Sequence, residues 1–154
     1  TTRDARPGAM GECFSYTDTA LVERAVTGTE VAVSVLDTGD GPFALPAVEV
    51  VTDGPYDYDA RYSPGRTEYF APARLDATTA ADVAEVAVRA HRARGLRDVS
   101  RTDLVVDAAG VPWFLEVNVA PGMTETSLLP QAAEAAGHDL GRLYRALVDA
   151  VARR

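Results

Sequence analysis

The most informative part of the chain is an apolar segment, residues 114–119, that carries two polar side chains able to bind a cation. Glu116 and Asn118 lie two residues apart, and the segment ends at Pro121 and Gly122. Residues two apart on a β-strand point to the same face. A carboxylate and a carboxamide at the end of a buried strand are costly without a polar partner. A hard metal ion that carries phosphate oxygens would be such a partner, so the spacing predicts a metal site.

A second segment supplies residues that can face this pair. Residues 100–106 form a run rich in β-branched side chains, and a turn signal at residues 107–110 separates the two segments. A turn centred on the last two residues of that signal predicts a hairpin with Asp103 opposite Glu116 and Arg101 opposite Asn118. All four side chains would then share one face of the sheet, and a slip of one residue would break the arrangement.

The predicted quartet fits phosphate chemistry. Two facing carboxylates repel each other and destabilise a hairpin unless a cation lies between them. Mg²⁺ takes one or two protein carboxylates together with phosphate oxygens and water, so Asp103, Glu116 and Asn118 are the predicted ligands. Arg101 beside them is suited to bind negative charge on a phosphoryl or carboxylate oxygen. The alternative is an ion-paired polar sheet face in which Arg101 neutralises an acid. Trp113 falls on the opposite face by parity and is expected to pack.

Composition narrows the class of protein. The chain has 154 residues, 47% of them hydrophobic, and a formal net charge of −8. This length and composition predict one folded domain with a substantial core. The negative charge argues against a nucleic-acid or anionic-membrane surface, and no apolar run is long enough to span a bilayer. The single Cys13 cannot form an internal disulfide, which is typical of a cytosolic protein.

Several segments are predicted to form the sheet that positions these residues. An apolar run at residues 20–26 predicts a buried strand, and the alternation at 30–36 predicts another, with Gly28 in the turn between them. Residues 44–51 predict a third strand that starts late or lies at an edge because of Pro46. Residues 55–73 are rich in Tyr, Pro and Gly and predict a long functional loop.

Helices are predicted in the second half of the chain. A helix capped by Thr78 or Thr79 should run to about Arg94 and end at Gly95. Another should run from Ser127 to the glycine at 137. A final helix is predicted from a packing stripe formed by Leu140, Leu143, Tyr144, Leu147 and Val151. Strands followed by helices on one side indicate an α+β fold with a mainly antiparallel sheet and flanking helices.

Two motifs carry a resemblance to a known family. The run from Leu115 to Thr124 (LEVNVAPGMT), continuing through Ser127 to Gly137, resembles the C-terminal signature of D-alanine–D-alanine ligases, which are ATP-grasp enzymes. Residues 56–62 (YDYDARY) are similar to a second signature of these ligases. The resemblance implies the C-terminal subdomain of an ATP-grasp fold, present here over residues 1–154.

The resemblance assigns nucleotide and metal roles. It implies that Asp103, Glu116 and Asn118 hold Mg²⁺ (or Mn²⁺), with Glu116 bridging two ions. Glu23 would lie near adenine and Glu30 would bind the ribose hydroxyls, a sound role for a carboxylate. For Glu30 alone, a solvated acid at a strand end is the competing interpretation.

The resemblance also assigns substrate roles. In the loop, Arg61 stands where family members usually have Lys; it keeps the charge for a γ-phosphate contact, and Tyr62 would help to position the loop and the second substrate. Arg101 and the Gly122 N–H would stabilise a tetrahedral intermediate, and Ser127 would hold the carboxylate of the second D-alanine. From the residues alone, a plain helix N-cap is the better interpretation of Ser127, and a strand-ending turn glycine is the alternative for Gly122.

The implied function is an ATP-dependent carboxylate–amine ligase of peptidoglycan precursor synthesis, with ATP and D-alanine as substrates, cytoplasmic, and a homodimer at full length. Lysine is absent from the chain, although ATP-grasp enzymes usually hold the α- and β-phosphates with lysines from an earlier subdomain. We therefore expect the N-terminal substrate domain and the first ATP-grasp half to be missing, and the fragment to be inactive alone. The alternatives are a ligase for another amino or hydroxy acid, such as D-lactate, or a non-catalytic nucleotide- or metal-binding module.

Overall fold

The computed structural model describes residues 3–52 and 67–153 of the chain. A short 3₁₀ turn, Arg3–Ala5, leads into the first helix. The regular elements are then α1 (Arg6–Phe14), β1 (Thr29–Leu36), β2 (Phe43–Ala44), β3 (Val48–Thr52), β4 (Thr67–Phe70), α2 (Ala77–Ala93), β5 (Val99–Val106), β6 (Pro112–Asn118), α3 (Leu128–Ala135) and α4 (Leu140–Ala152).

The strands form one antiparallel sheet in the order β4-β3-β1-β5-β6, with β2 pairing to the end of β1. β1 is the central strand and pairs with β5 along its whole length. Every residue from Val31 to Leu36 is buried, because neighbouring strands and helices cover this strand on all sides. The predicted α+β class and antiparallel sheet are confirmed.

Helices cover both faces of the sheet, so the expectation of helices on one side was wrong. α2 packs against one face, where Val33 and Val83 are fully buried. α3 and α4 pack against the other, where Leu36 and Leu129 are fully buried beside Leu147. The strand alternation of β1 feeds both cores, since successive side chains point to opposite faces.

The predicted helices are present, with changes at their ends and faces. α2 is capped by Asp76, whose carboxylate accepts hydrogen bonds from the Thr78 and Thr79 N–H groups at 2.9 and 3.0 Å, so neither threonine is the cap. In α4 the buried stripe includes Ala150, whereas Val151 is 53% exposed and was wrongly assigned to it.

The segment at residues 20–26 is not a strand. Leu21 and Val22 are 81% and 71% exposed, and the segment lies outside the sheet. The segment cannot pair with the central strand, because both edges of β1 are already occupied by β3, β2 and β5.

The third predicted strand is split, and part of the segment predicted as a long loop forms a strand. Residues 45–47, around Pro46, separate β2 from β3, as a proline that cannot donate to the ladder would require. β4 lies inside the predicted loop and pairs with β3. Arg61 and Tyr62 lie outside the described residues. None of the helices in the described ranges has the length and apolar character needed to cross a membrane.

Candidate functional site

The β5–β6 hairpin brings the predicted quartet together. Asp103 pairs with Glu116 and Arg101 pairs with Asn118, as the sequence predicted. Next to the turn, however, the strands pair one residue out of the predicted register, with Val106 opposite Pro112. A β-bulge between Asp103 and Leu104 shifts the pairing by one residue, so that Asp103 faces Glu116 as predicted.

The bulge changes the position of the tryptophan. Trp113 pairs with Val105, which lies two residues from Asp103 on the same strand. Cross-strand partners share a face, so Trp113 lies on the same face as Asp103 and Glu116, and the parity prediction for it was wrong. Its indole N–H donates to the Asp107 Oδ2 at 2.9 Å.

A cleft of about 500 Å³ opens over this face of the sheet. Four carboxylate side chains line it: Glu23, Glu30, Asp103 and Glu116. The apolar part of its lining comes from Val31, Ala32, Val50, Leu104, Leu115 and Leu128. The structure therefore brings together both predicted nucleotide-binding acids and both predicted metal-binding acids, although they come from three separate parts of the chain.

Negative charge is concentrated in this cleft. Burial raises the pKa of Glu30, and the charge of Asp103 raises it further. Asp103 pairs with Ala32, two residues from Glu30 on β1, so the two acids lie on the same face. The negative charge of Asp103 therefore makes the ionised form of Glu30 less favourable, an effect that a bound cation would reverse.

Arg101 and Asp103 form a two-point ion pair. The Arg101 Nε and Nη2 donate to the two Asp103 carboxylate oxygens, each at 2.7 Å, and Arg101 is 8% exposed. The ion-paired arrangement considered from the sequence is thus present. It also holds the guanidinium beside Asp103, one of the acids of the cleft.

The predicted metal ligands offer a suitable set of donors. Asn118 Oδ1 accepts a hydrogen bond from the Ala120 N–H at 2.9 Å, and both Asp103 oxygens accept from Arg101. Each oxygen keeps a second lone pair, so two carboxylates and one amide remain able to hold a hard cation. Among residues 3–52 and 67–153, no group of three or more His, Cys, Asp or Glu side chains is arranged as a metal site. The predicted set contains two carboxylates and the Asn118 amide, so it does not belong to that class of group.

Gly122 and Ser127 meet in the loop that follows β6. A Cβ added at Gly122 would lie 2.5 Å from the Ser127 Oγ and 3.2 Å from its Cβ, so only glycine fits without displacement. Ser127 has the extended backbone of an N-cap for α3, but its side chain makes no capping hydrogen bond. Its hydroxyl lies 2.9 Å from the Thr124 Oγ1 instead. The serine hydroxyl is therefore not committed to capping.

One contact near the cleft had no sequence signal. The Arg24 guanidinium lies over the Trp113 ring, 5.1 Å from its centroid. Arg24 follows Glu23 directly, but nothing in the spacing connects it with a tryptophan on β6. Only the fold brings the two side chains together.

The antiparallel sheet with flanking helices is shared with solved D-alanine ligases, which are ATP-grasp enzymes, and this class is the one to which the fold corresponds. The chain belongs to the family described as D-ala D-ala ligase C-terminus, whose family model matches residues 2–149.

Individual relatives agree with this assignment. A D-alanine–D-alanine ligase from Bordetella petrii is 44% identical over 142 residues, which are 92% of this chain and 44% of that protein. The solved VanG D-Ala:D-Ser ligase from Enterococcus faecalis has a TM-score of 0.84 at 27% identity, covering 97% of this chain and 43% of that one. A D-alanine–D-alanine ligase from Bacillus anthracis, solved in complex with ATP, has a TM-score of 0.80 at 24% identity over 99% of this chain and 47% of that one, and shows the shared fold. The chain spans about half the length of the relatives it matches.

Proposed function

We propose that this chain forms the C-terminal half of the active site of an ATP-dependent D-alanine–D-alanine ligase. The observation that carries the proposal is the convergence of Glu23, Glu30, Asp103 and Glu116 on one cleft. Four carboxylates around one space are unfavourable unless the space binds cations or hydrogen-bond donors, and a metal–nucleotide complex offers both.

In the proposed nucleotide site, Glu23 accepts from the adenine amino group and Glu30 accepts from the ribose hydroxyls. Both are acceptor groups when ionised, and both line the same cleft. Arg61 would contact the γ-phosphate and Tyr62 would help to position the second substrate; both assignments rest on the family resemblance.

The metal proposal rests on the donor chemistry. Asp103, Glu116 and Asn118 would hold Mg²⁺ or Mn²⁺, because hard oxygen donors from two carboxylates and an amide suit these ions. When bound, the ion supplies neutralisation of phosphate charge. The two Asp103 oxygens are already bonded to Arg101 at 2.7 Å, so the guanidinium stays beside the phosphoryl group that the site receives.

The proposed reaction has two stages. ATP phosphorylates the carboxylate of a first D-alanine, and the amine of a second D-alanine attacks the acyl phosphate and releases phosphate. Arg101 and the Gly122 N–H are proposed to stabilise the tetrahedral intermediate, and the Ser127 hydroxyl is proposed to bind the carboxylate of the second D-alanine. No covalent intermediate with the protein is required, since positioning and charge stabilisation suffice.

A second candidate is a ligase with a different acceptor. The similarity to a D-Ala:D-Ser ligase favours it, because that protein shares the fold at a TM-score of 0.84. Comparing phosphate release with D-alanine, D-serine and D-lactate as acceptors separates the candidates. We favour D-alanine because the 44% identical relative is a D-alanine–D-alanine ligase.

We further propose that the chain acts within a longer, cytoplasmic ligase that forms a homodimer and serves peptidoglycan precursor synthesis. The share of the relatives that it spans, 44% of the Bordetella petrii protein, supports this. The 154-residue chain alone should therefore show no D-alanine-dependent ATP hydrolysis, because part of the phosphate site would be absent. Measurable dipeptide synthesis by the purified chain would contradict this.

The test of the metal site is Glu116→Gln in the full-length protein. The substitution keeps size and removes one metal-binding charge, so D-alanine-dependent phosphate release should fall more than about 100-fold. Glu85→Gln, at an exposed position of α2, is the matched control and should leave the rate unchanged. Near-normal turnover by Glu116→Gln would refute the assignment, provided circular dichroism shows an intact fold.

A further inference from the structure

Glu23 lies on a segment that is not part of the β-sheet. Residues 21–27 have no regular secondary structure, and Leu21 and Val22 are largely exposed. Glu23 nevertheless lines the cleft, together with three other acids. Like charges repel, so this segment needs an attachment that keeps Glu23 at the cleft.

Arg24 provides a contact of the right kind. Its guanidinium lies 5.1 Å from the centroid of the Trp113 ring, within the range of a cation–π interaction. Trp113 belongs to β6, the strand that also carries Glu116. The contact therefore links this irregular segment to β6, the strand that carries Glu116.

The tryptophan is itself fixed. Its Nε1–H donates to the Asp107 Oδ2 at 2.9 Å, while the Asp107 Oδ1 accepts from the Ala109 and Val111 N–H groups at 2.9 and 3.0 Å. The bond from Trp113 holds the pKa of Asp107 below its usual range, and the positive charge of Arg24 adds to this. An ionised Asp107 thus anchors the ring and attracts the cation above it.

We propose that Arg24, stacked on Trp113, is a positioning residue that places Glu23 for recognition of the nucleotide base. This inference rests on the proposed function. It acts on base selectivity in particular: a carboxylate accepts from the amino group of adenine, whereas guanine presents a carbonyl oxygen at the same place, which a carboxylate repels.

The kinetic test uses the full-length protein with Arg24→Gln, which removes the charge and keeps a polar side chain. The KM for ATP should rise about two- to fivefold, the span of an exposed cation–π contact, and the preference for ATP over GTP should shrink. The kcat and the KM for D-alanine should not change, because the acids of β5 and β6 stay in place. Arg24→Lys should restore most of the ATP affinity, and Arg89→Gln, on the exposed face of α2, should match the wild type.

A double-mutant cycle shows whether Arg24 acts through Glu23. In a Glu23→Gln background, adding Arg24→Gln should raise the KM for ATP no further, since coupled residues are not additive. Additive effects, or an unchanged KM and ATP/GTP preference in Arg24→Gln, would overturn the proposal.

A second measurement separates this inference from the proposed function. Trp113 is the only tryptophan of the chain, so the intrinsic fluorescence of the 154-residue chain without nucleotide reports on the stacking. Arg24→Gln should change its emission and its quenching by acrylamide, while Arg24→Lys and Arg89→Gln should not. Unchanged emission in Arg24→Gln refutes the stacking. If Arg24→Gln changes the emission of the 154-residue chain but the full-length protein shows no ATP-dependent turnover, the stacking is present while the proposed function, and the role of Glu23 with it, is refuted.

Discussion

The approach of β1 to β5 leaves no room for a side chain at Gly28, and this gives a quantitative prediction. A Cβ at Gly28 would overlap the Val106 carbonyl oxygen, lie 2.7 Å from the carbonyl carbon and 3.0 Å from the Asp107 Cα. All three are backbone atoms, which cannot rotate away as a side chain can. Thr29 pairs with Val106 in the ladder, so relief of the overlap must separate the strands at this end.

We expect Gly28→Ala to destabilise the chain by about 2–3 kcal/mol. Overpacking costs about 1–3 kcal/mol, and a weakened ladder hydrogen bond adds about 1 kcal/mol. The unfolded alanine variant has less conformational entropy than the wild type, which offsets about 0.4–1 kcal/mol of this loss. Urea unfolding followed by circular dichroism measures the difference. With a denaturant slope of about 2 kcal/mol/M, the midpoint should fall by about 1–1.5 M.

A matched glycine substitution serves as the control. Gly11 lies inside α1 and an added Cβ there would meet nothing within 4 Å. Gly11→Ala should therefore stabilise the chain by up to about 1 kcal/mol, because alanine favours the helix. The two substitutions are chemically identical and opposite in expected sign. If the free energy of unfolding of Gly28→Ala lay within about 0.5 kcal/mol of the wild-type value, the close approach of β1 and β5 at Gly28 would be refuted.

Three further predictions concern the core, the caps and pH. Leu129→Ala should cost about 2–5 kcal/mol because the side chain is fully buried, whereas Val148→Ala, at 64% exposure, should stay within about 0.5 kcal/mol in the same urea titration. Asp139→Ala should lower the free energy of unfolding by about 1 kcal/mol, because the Arg142 N–H loses its capping acceptor. Ser127→Ala should lower it by less than about 0.5 kcal/mol, because Ser127 makes no capping hydrogen bond. Equal losses would contradict the different cap geometries. Burial lowers the pKa of His91, so the unfolded state binds the proton more readily and stability should fall as pH drops through and below about 6.5. In His91→Asn, the free energy of unfolding should fall less steeply with decreasing pH. Equal pH dependence in the variant and the wild type would show that His91 is not the source.

The local chemistry of the hairpin could be predicted from sequence, but its details could not. The facing of Asp103 and Glu116 followed from alternation and a turn signal, and the structure confirms it. The assumed turn was different by one residue, and the bulge compensated for it. A bulge depends on how a strand twists against its neighbours, so the same argument misplaced Trp113 on the opposite face.

Segments whose structure depends on distant partners were the hardest to predict. Residues 20–26 have the composition of a strand, but a strand also needs an available edge. The buried Glu49 is another example: Arg74 donates to it through Nε at 2.9 Å and Nη2 at 2.7 Å. The same guanidinium lies 3.7 Å from the centroid of the Phe70 ring. Nothing in the local sequence pairs these residues, because the β3–β4 pairing creates the contact.

The site residues could be predicted from the sequence where they lie within one contiguous motif. Motifs such as the one containing Glu116 and Gly122 are contiguous and readable. The contribution of Arg24 requires the fold, since its partner is on another strand. Chemistry carried by one segment, or by two strands joined by a short turn, is visible in the sequence, whereas contacts between distant segments are not.

The hydroxyl of Tyr144 on α4 donates to the carbonyl oxygen of Met123 at 3.1 Å. It thus connects the C-terminal helix to the loop that contains Gly122 and leads to Ser127. Under the proposed role of Ser127 in binding the acceptor, a substitution on α4 can therefore shift the acceptor-binding loop from a distance. A mutant library intended to alter acceptor choice should therefore sample Tyr144 and its neighbours on α4, as well as the residues that line the cleft.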